Sequence, residues 1–229
     1  MIRYSKFKTI DKITQWVFLR INQGPTRIPR RLKFVKSLKI IKPLVSKKWL
    51  DLGAGDGTYL NFMSNESVGL DIHPNTQKKI FSWNFNDSCP KELLGKIDVI
   101  WCSNLIEHVL RPHEFLLRIK EFLTPNGIVI LCCPQTLLRN PFIFRGTLHG
   151  DHVNFFNLTT LKLTMRAAGY RIIFAGSPSF KRWGQKFSFV SPIIMVIAVP
   201  LPNFQYPESA HKLLDSNGLI VFKDENIGH

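Results

Sequence analysis

The sequence predicts an α/β protein with a doubly wound, mostly parallel sheet, and three observations carry that reading. Apolar strand-like segments alternate with segments of helical period through the middle of the chain, the pattern of a parallel sheet sandwiched by helices. The first strand runs directly into Gly53-Ala54-Gly55-Asp56-Gly57, a turn almost without side chains. A second strand, Val68-Gly69-Leu70-Asp71, closes on an acid about twenty residues further on.

Taken from the start, the chain opens on a basic leader. Residues 1–48 hold 14 Lys and Arg against the single acid Asp11, a net +13 of the total +15, so the rest of the 229 residues is nearly neutral. Phe7, Ile10, Ile13, Trp16, Val17 and Ile21 recur at helical spacing and predict an amphipathic helix ending near Gly24-Pro25. A second basic helix is expected over about 30–41, using Leu32, Val35 and Leu38 before Pro43 stops it. The leader, residues 1–45, thus reads as a basic helical extension of a domain spanning 46–229. Its charge suits an anionic membrane surface or nucleic acid; packing against the body and a solvated surface are the plainer readings.

Strands are predicted at 48–52, 67–72, 79–84, 97–102, 127–133, 171–175 and 219–223, with helices near 57–64, 89–95, 112–123 and 159–168. Between the last two strands a hydrophobic insertion covers about 177–217. Its apolar run, 187–201, is interrupted by Pro192 and Pro200 and is too short to cross a bilayer. It is expected as a buried or interfacial helix, flanked by Lys181, Arg182, Trp183 and Lys186, or as a cover for an acceptor pocket or a dimer face. Cys89, Cys102, Cys132 and Cys133 lack metal-ligand spacing, and three of them fall in predicted buried strands. With no secretory signal at the start, a cytoplasmic location is expected, with peripheral attachment to the inner face of a membrane as an extension of it.

The turn selects the ligand class. Glycines there let a ligand lie on the backbone, and the N–H groups opening the next helix are expected to face an anionic group. A dinucleotide fingerprint needs Gly-x-Gly-x-x-Gly, but the third glycine arrives one residue early at Gly57. Asp51 at the strand end would repel a pyrophosphate and attract an ammonium. S-adenosylmethionine carries both an ammonium and a carboxylate.

These residues resemble the class I S-adenosylmethionine-dependent methyltransferases. The match runs from Leu50-Asp51-Leu52-Gly53-Ala54-Gly55-Asp56-Gly57 and Gly69-Leu70-Asp71 to Asp98-Val99-Ile100-Trp101-Cys102-Ser103 and Glu107-His108-Val109. It continues through Leu123-Thr124-Pro125-Asn126-Gly127 to His152-Val153-Asn154-Phe155-Phe156. The resemblance implies a Rossmann-like sheet of seven strands with an antiparallel pair at one edge. It implies that Asp51, Gly53, Ala54 and Gly55 hold the methionine end, Asp71 the ribose, and Ile72 the adenine. Asn84, followed by Phe85, stands where the family usually carries an acid that accepts from the adenine amino group; an amide oxygen can accept the same bond. Ser103, Asn104 and Leu105, leaving the fourth strand at its carboxyl end, are expected to line the transfer site.

For the chemistry itself, an oxygen acceptor needs a base. His149 and His152, in a loop after the fifth strand, and His108 are the candidates, because imidazole accepts protons near neutrality. Glu107-His108 is also similar to a pair in ubiquinone-biosynthesis O-methyltransferases associated with a metal-dependent reaction. The upstream acidic partner is Asn104 here, so no metal ligand is assigned. The expected activity is O-methylation of a small or lipid-linked hydroxylated acceptor. An RNA acceptor reached by the leader is the alternative, against which the site loop lacks an Asn-Pro-Pro-Tyr type of motif. A non-catalytic binding protein on the same scaffold is the third reading. Oligomeric state is not legible.

Overall fold

The computed structural model describes residues 27–135, 152–178, 193–202 and 204. The amphipathic helix expected before residue 24, His149, and the strand expected at 219–223 lie outside the described residues, as does most of the expected insertion.

Seven strands form one sheet in the order β3-β2-β1-β4-β5-β7-β6. They are β1 (Trp49–Leu52), β2 (Val68–Asp71), β3 (Ile80–Ser82), β4 (Ile97–Ser103), β5 (Leu123–Pro134), β6 (Tyr170–Gly176) and β7 (Ile193–Pro200). The first five pair in parallel, while β7 runs antiparallel to both β5 and β6. The order reverses between β1 and β4, where Leu52 lies opposite Cys102. Open α/β sheets bind ligands outside the carboxyl ends of strands at such a reversal.

Alternation along the strands divides the core. Leu50, Leu52, Ile100, Cys102, Val129 and Leu131 face one side, packed against α2 (Pro112–Ile119) and α3 (Leu158–Ala167). Helix α3 begins on a capping box, with Asn157 Oδ1 accepting from the Thr160 amide at 2.8 Å and the Thr160 hydroxyl accepting from the Asn157 amide at 2.9 Å. Trp49, Val99, Trp101, Ile128 and Ile130 face the other side, against Leu32, Phe34 and Val35 of α1 (Arg27–Ser37). The leader's second helix therefore starts a few residues before the expected 30–41 and docks on the body as a layer of the fold. Further along, the Trp49 indole N–H donates to the Leu44 carbonyl at 2.9 Å.

Three expectations are corrected. The helix expected at 57–64 is a single 3-10 turn, Leu60–Phe62, and that at 89–95 is another, Lys91–Leu93. Each stretch is short and bounded by a breaker, Gly57 before the first and Pro90 and Gly95 around the second, so neither propagates an α-helix. The expected helix of the apolar insertion is instead strand β7, with the second proline at its end. A strand buried on both faces reads as a continuous apolar run, so Ile193-Ile194-Met195-Val196-Ile197-Ala198-Val199 carries no alternation to betray it. The antiparallel pair thus uses β7 where 219–223 had been expected. All four cysteines are buried thiols, and burial pushes the Cys132 thiol up to about 12.

Leu32 is fully enclosed between α1 and the sheet. Leu32→Ala should cost about 2–5 kcal/mol, read as a lowered urea midpoint with an unchanged transition slope; a cost within error would mean that α1 is not part of the cooperative unit.

Candidate active site

The β1 end turns over Gly53 and Gly55, both in the left-handed region at φ 69° and 52°. A Cβ at Gly53 would meet the Leu105 side chain at 3.1 Å, so Leu105 supports the turn closely. A Cβ at Gly55 would meet nothing within 4 Å, which leaves open space beside the backbone there. Ala54, by contrast, is buried, its amide donating with that of Gly53 to the Leu70 carbonyl at 3.3 and 2.8 Å. The turn is thereby fastened to β2.

Asp71 ends β2 with its carboxylate fixed by two backbone donors: Gly55 N–H to Oδ2 and His73 N–H to Oδ1, each at 2.9 Å. Each oxygen retains a lone pair for a hydroxyl. Next to it Ile72 is 62% exposed, an apolar surface at the rim. Asn84 is exposed, and its Oδ1 accepts from both the backbone and the side-chain amide of Asn86, at 3.0 and 3.1 Å. It takes another donor only by releasing one of these. Phe85 packs edge-on to Phe115 at 5.9 Å between centroids.

Asp51 is 1% exposed, and no hydrogen-bond donor reaches its Oδ2 among the described residues. Burial first, then the neighbouring Asp71 and Asp56 carboxylates, hold its carboxyl well above the usual carboxylate range. Such an orphaned buried acceptor fits a ligand bearing an ammonium group. The open glycine turn, the fixed Asp71 and the apolar Ile72 fit a ribose and a base beside it.

At the end of β4 the chain makes a sharp exit through Asn104, a non-glycine residue at φ 56°. Asparagine tolerates this conformation better than most residues, and strain of this kind gathers at functional sites. Sequence reasoning missed what meets Asn104 there. The Arg31 guanidinium of α1, 9% exposed, donates from Nη1 to Ser103 Oγ at 3.1 Å and Asn104 Oδ1 at 3.2 Å. The Tyr59 hydroxyl lies 3.4 Å from the same Ser103 Oγ, its ring tilted on Trp101 at 5.0 Å. The basic period of the leader signals a helix but not which of its cations turns inward.

Past Asn104, a 3-10 turn (Ile106–His108) is latched to the segment after the β5 loop. The Val153 and Asn154 amides both donate to the Glu107 carbonyl, at 2.9 and 3.0 Å, and Asn154 Nδ2 donates to the Val109 carbonyl at 2.5 Å. The latch brings the His108 and His152 rings to 4.7 Å, nearly perpendicular. Together with buried Glu107 they form a group whose ligand atoms all lie within 4.8 Å of one another, close enough for one cation. Two of the three predicted histidines are thus brought together, beside the carboxyl end of β4.

A family model described as a methyltransferase domain matches residues 24–174. No curated protein matches the chain in sequence. Among solved structures, the chain is similar to a chain of the complex between the Haloferax volcanii Trm112 methyltransferase activator and a methyltransferase. The TM-score is 0.59 at 14% identity, covering 80% of this chain and 94% of that one. It is also similar to a SAM-dependent methyltransferase from Archaeoglobus fulgidus (TM-score 0.54, 15% identity, 80% and 97% covered). A third likeness is to the DhpI–SAH complex (TM-score 0.55, 13% identity, 87% and 95% covered). At such identities these likenesses establish the shared fold.

The raised native pKa of Asp51 fixes the sign of a pH effect. The folded state holds this proton more tightly than the unfolded chain, so ionised Asp51 opposes folding, increasingly as pH rises from the unfolded value through the native one. Asp51→Asn should therefore be the more stable protein at pH 7, with the difference closing below about pH 4. Urea midpoints across that range measure it; equal stability at pH 7 would contradict the burial of an uncompensated carboxylate.

Proposed function

The chain belongs to the methyltransferase-domain family, and from that premise we propose that it transfers a methyl group from S-adenosylmethionine to the hydroxyl of a small or lipid-linked acceptor. The observation that carries the donor assignment is the pair of carboxylates at the reversal of strand order: Asp51, buried with an orphaned oxygen, and Asp71, held by two backbone amides. Bound there, the donor supplies an electrophilic methyl group on a sulfonium. The chain's own residues bind and orient. Asp51 attracts the ammonium, the Gly53–Gly55 backbone admits the methionine end, Asp71 accepts from ribose hydroxyls, and Ile72 covers the base with Asn84 and Phe85 nearby. Ser103, Asn104 and Leu105 form the wall between donor and acceptor.

In-line transfer asks the protein chiefly for alignment, and for an oxygen acceptor also for removal of a proton. The His108–His152 pair supports that second role: an imidazole nitrogen takes the hydroxyl proton, and the Glu107 carboxylate, 4.0 Å from His108, stabilises the charge formed. Three exposed apolar side chains, Leu110 at 76% and Val153 and Phe155 at 48% and 49%, border the same latch and favour an acceptor with an apolar portion. A lipid-linked acceptor fits that rim. The basic leader then serves to bring the site to an anionic membrane surface, since no helix among the described residues is long and apolar enough to cross one.

Calorimetry with S-adenosylhomocysteine tests the donor assignment: the native protein should bind, and Asp71→Lys should abolish binding while leaving the fold intact. For the acceptor step, His152→Ala should lower methyl transfer to a hydroxylated acceptor by about 10²–10⁴-fold with donor affinity unchanged. An unchanged rate would remove His152 from the chemistry. Flotation with anionic vesicles reads the leader's role, and retention of lipid binding after deletion of residues 1–24, which spares α1 and its packing on the sheet, would contradict it.

A further inference from the structure

The base of the methyl donor is assigned to the surface of Ile72, and the chain beside Ile72 is the turn that leaves β3. Asp71 lies opposite Ser82, and the Trp83 amide donates to the Asp71 carbonyl at 2.9 Å, so Asn84 leaves the sheet next to Asp71 and Ile72. The turn is well fastened. The Asp87 amide donates to the Asn84 carbonyl at 2.8 Å, the Trp83 indole N–H to the Ser88 carbonyl at 3.2 Å, and the Arg118 guanidinium to the Asp87 carbonyl. Phe85, edge-on to Phe115, holds its middle against the core.

We infer that Asn84 meets the base as a hydrogen-bond donor, through Nδ2, so that this chain does not select for the 6-amino group of adenine; the inference rests on the methyl-donor assignment above. A backbone N–H can only donate, so the Asn84 atom that meets the Asn86 amide at 3.0 Å is the oxygen. The Asn86 side chain brings a second donor to that oxygen at 3.1 Å, and two donors fill its two lone pairs. A carboxylate in the same turn would keep a second oxygen for an amino group. Asparagine has a nitrogen in that place, which offers hydrogens and accepts none.

The polarity of recognition is thereby inverted. Adenine carries N–H donors on its 6-amino group and acceptors at the ring nitrogens N1 and N7, whereas hypoxanthine carries an acceptor, O6, in place of the amino group. An amide N–H pairs with a ring nitrogen of the first or with O6 of the second, and it opposes the 6-amino group N–H against N–H. A site built to accept from an amino group rejects the analogue that lacks it, because its acceptor is left unpaired. Asn84 leaves no acceptor to strand, and it is exposed, so water serves any group it does not reach. The other assigned contacts, Asp71 with the ribose and Ile72 with the face of the base, do not depend on the substituent at that position.

Calorimetry on the full chain with S-adenosylhomocysteine and S-inosylhomocysteine, its 6-oxo counterpart, tests this. The native protein should bind the two within about threefold of each other. Asn84→Asp keeps an oxygen for Asn86 and adds a free one, so it should open a preference for the 6-amino ligand of at least about tenfold. A native preference of that size overturns the inference, as does a ratio that Asn84→Asp leaves unchanged. Should Asn84→Asp bind neither ligand, as a misfolded chain would, Asn84→Ala decides: weaker binding of S-inosylhomocysteine by a chain that still unfolds cooperatively supports the contact to O6, and unchanged affinity overturns it. A native protein that binds neither ligand overturns the methyl-donor assignment as well, whereas binding of S-adenosylhomocysteine alone removes only the role of Asn84.

Discussion

The parallel pairing of β1 with β4 is the constraint on which the rest of the structure depends. With Leu52 opposite Cys102, both strands end at the same height, and the two chain segments that follow must diverge. One becomes the glycine turn, bound to β2 through the Gly53 and Ala54 amides on the Leu70 carbonyl. The other becomes the strained exit at Asn104, whose amide donates to the Cys132 carbonyl of β5 at 2.8 Å. A crevice results from topology alone, since neighbouring connections pass to opposite ends of the sheet. The Gly53–Gly55 turn and the Ser103–Leu105 exit form its two walls.

Electrostatics sets the character of that crevice. It places an ionisable carboxyl, Asp51, where burial holds it toward its neutral form, and a permanent cation, Arg31, where only neutral oxygens meet it. Neither arrangement favours stability by itself, because isolated buried charge is expensive. Strain at Asn104 adds to the cost. The large apolar core on both faces, closed by α1 on one side and by α2 and α3 on the other, offsets these local penalties. Preorganised polar groups of this sort suit recognition of a charged ligand.

The latch between Glu107 and residues 153–154 works differently. It is made of backbone amides on one carbonyl, with Asn154 reaching the Val109 carbonyl as well. Such bonds depend little on side-chain identity apart from Asn154, yet they decide where His152 sits. The acceptor side of the site is thus built by a loop folded back on β4, and its exposed apolar rim at Leu110, Val153 and Phe155 is a consequence of that fold-back.

Local chemistry was legible in the chain, and distant contact was not. The glycine turn, Asp51 and Asp71 declare themselves because backbone conformation and strand ends are short-range properties, encoded within a few residues. The parallel sheet followed from alternation of strand and helix periods, and the family resemblance added its seven-strand count. By contrast, β7 was hidden because a strand buried on both faces has no period, and the helix after the glycine turn failed to form because a few apolar residues at helical spacing do not secure one. Arg31 stands 72 residues from Ser103 in the chain. One arginine among fourteen basic residues in a leader has no local mark; only the docking of α1, driven by Leu32 and Val35 against the sheet, turns it inward to the site.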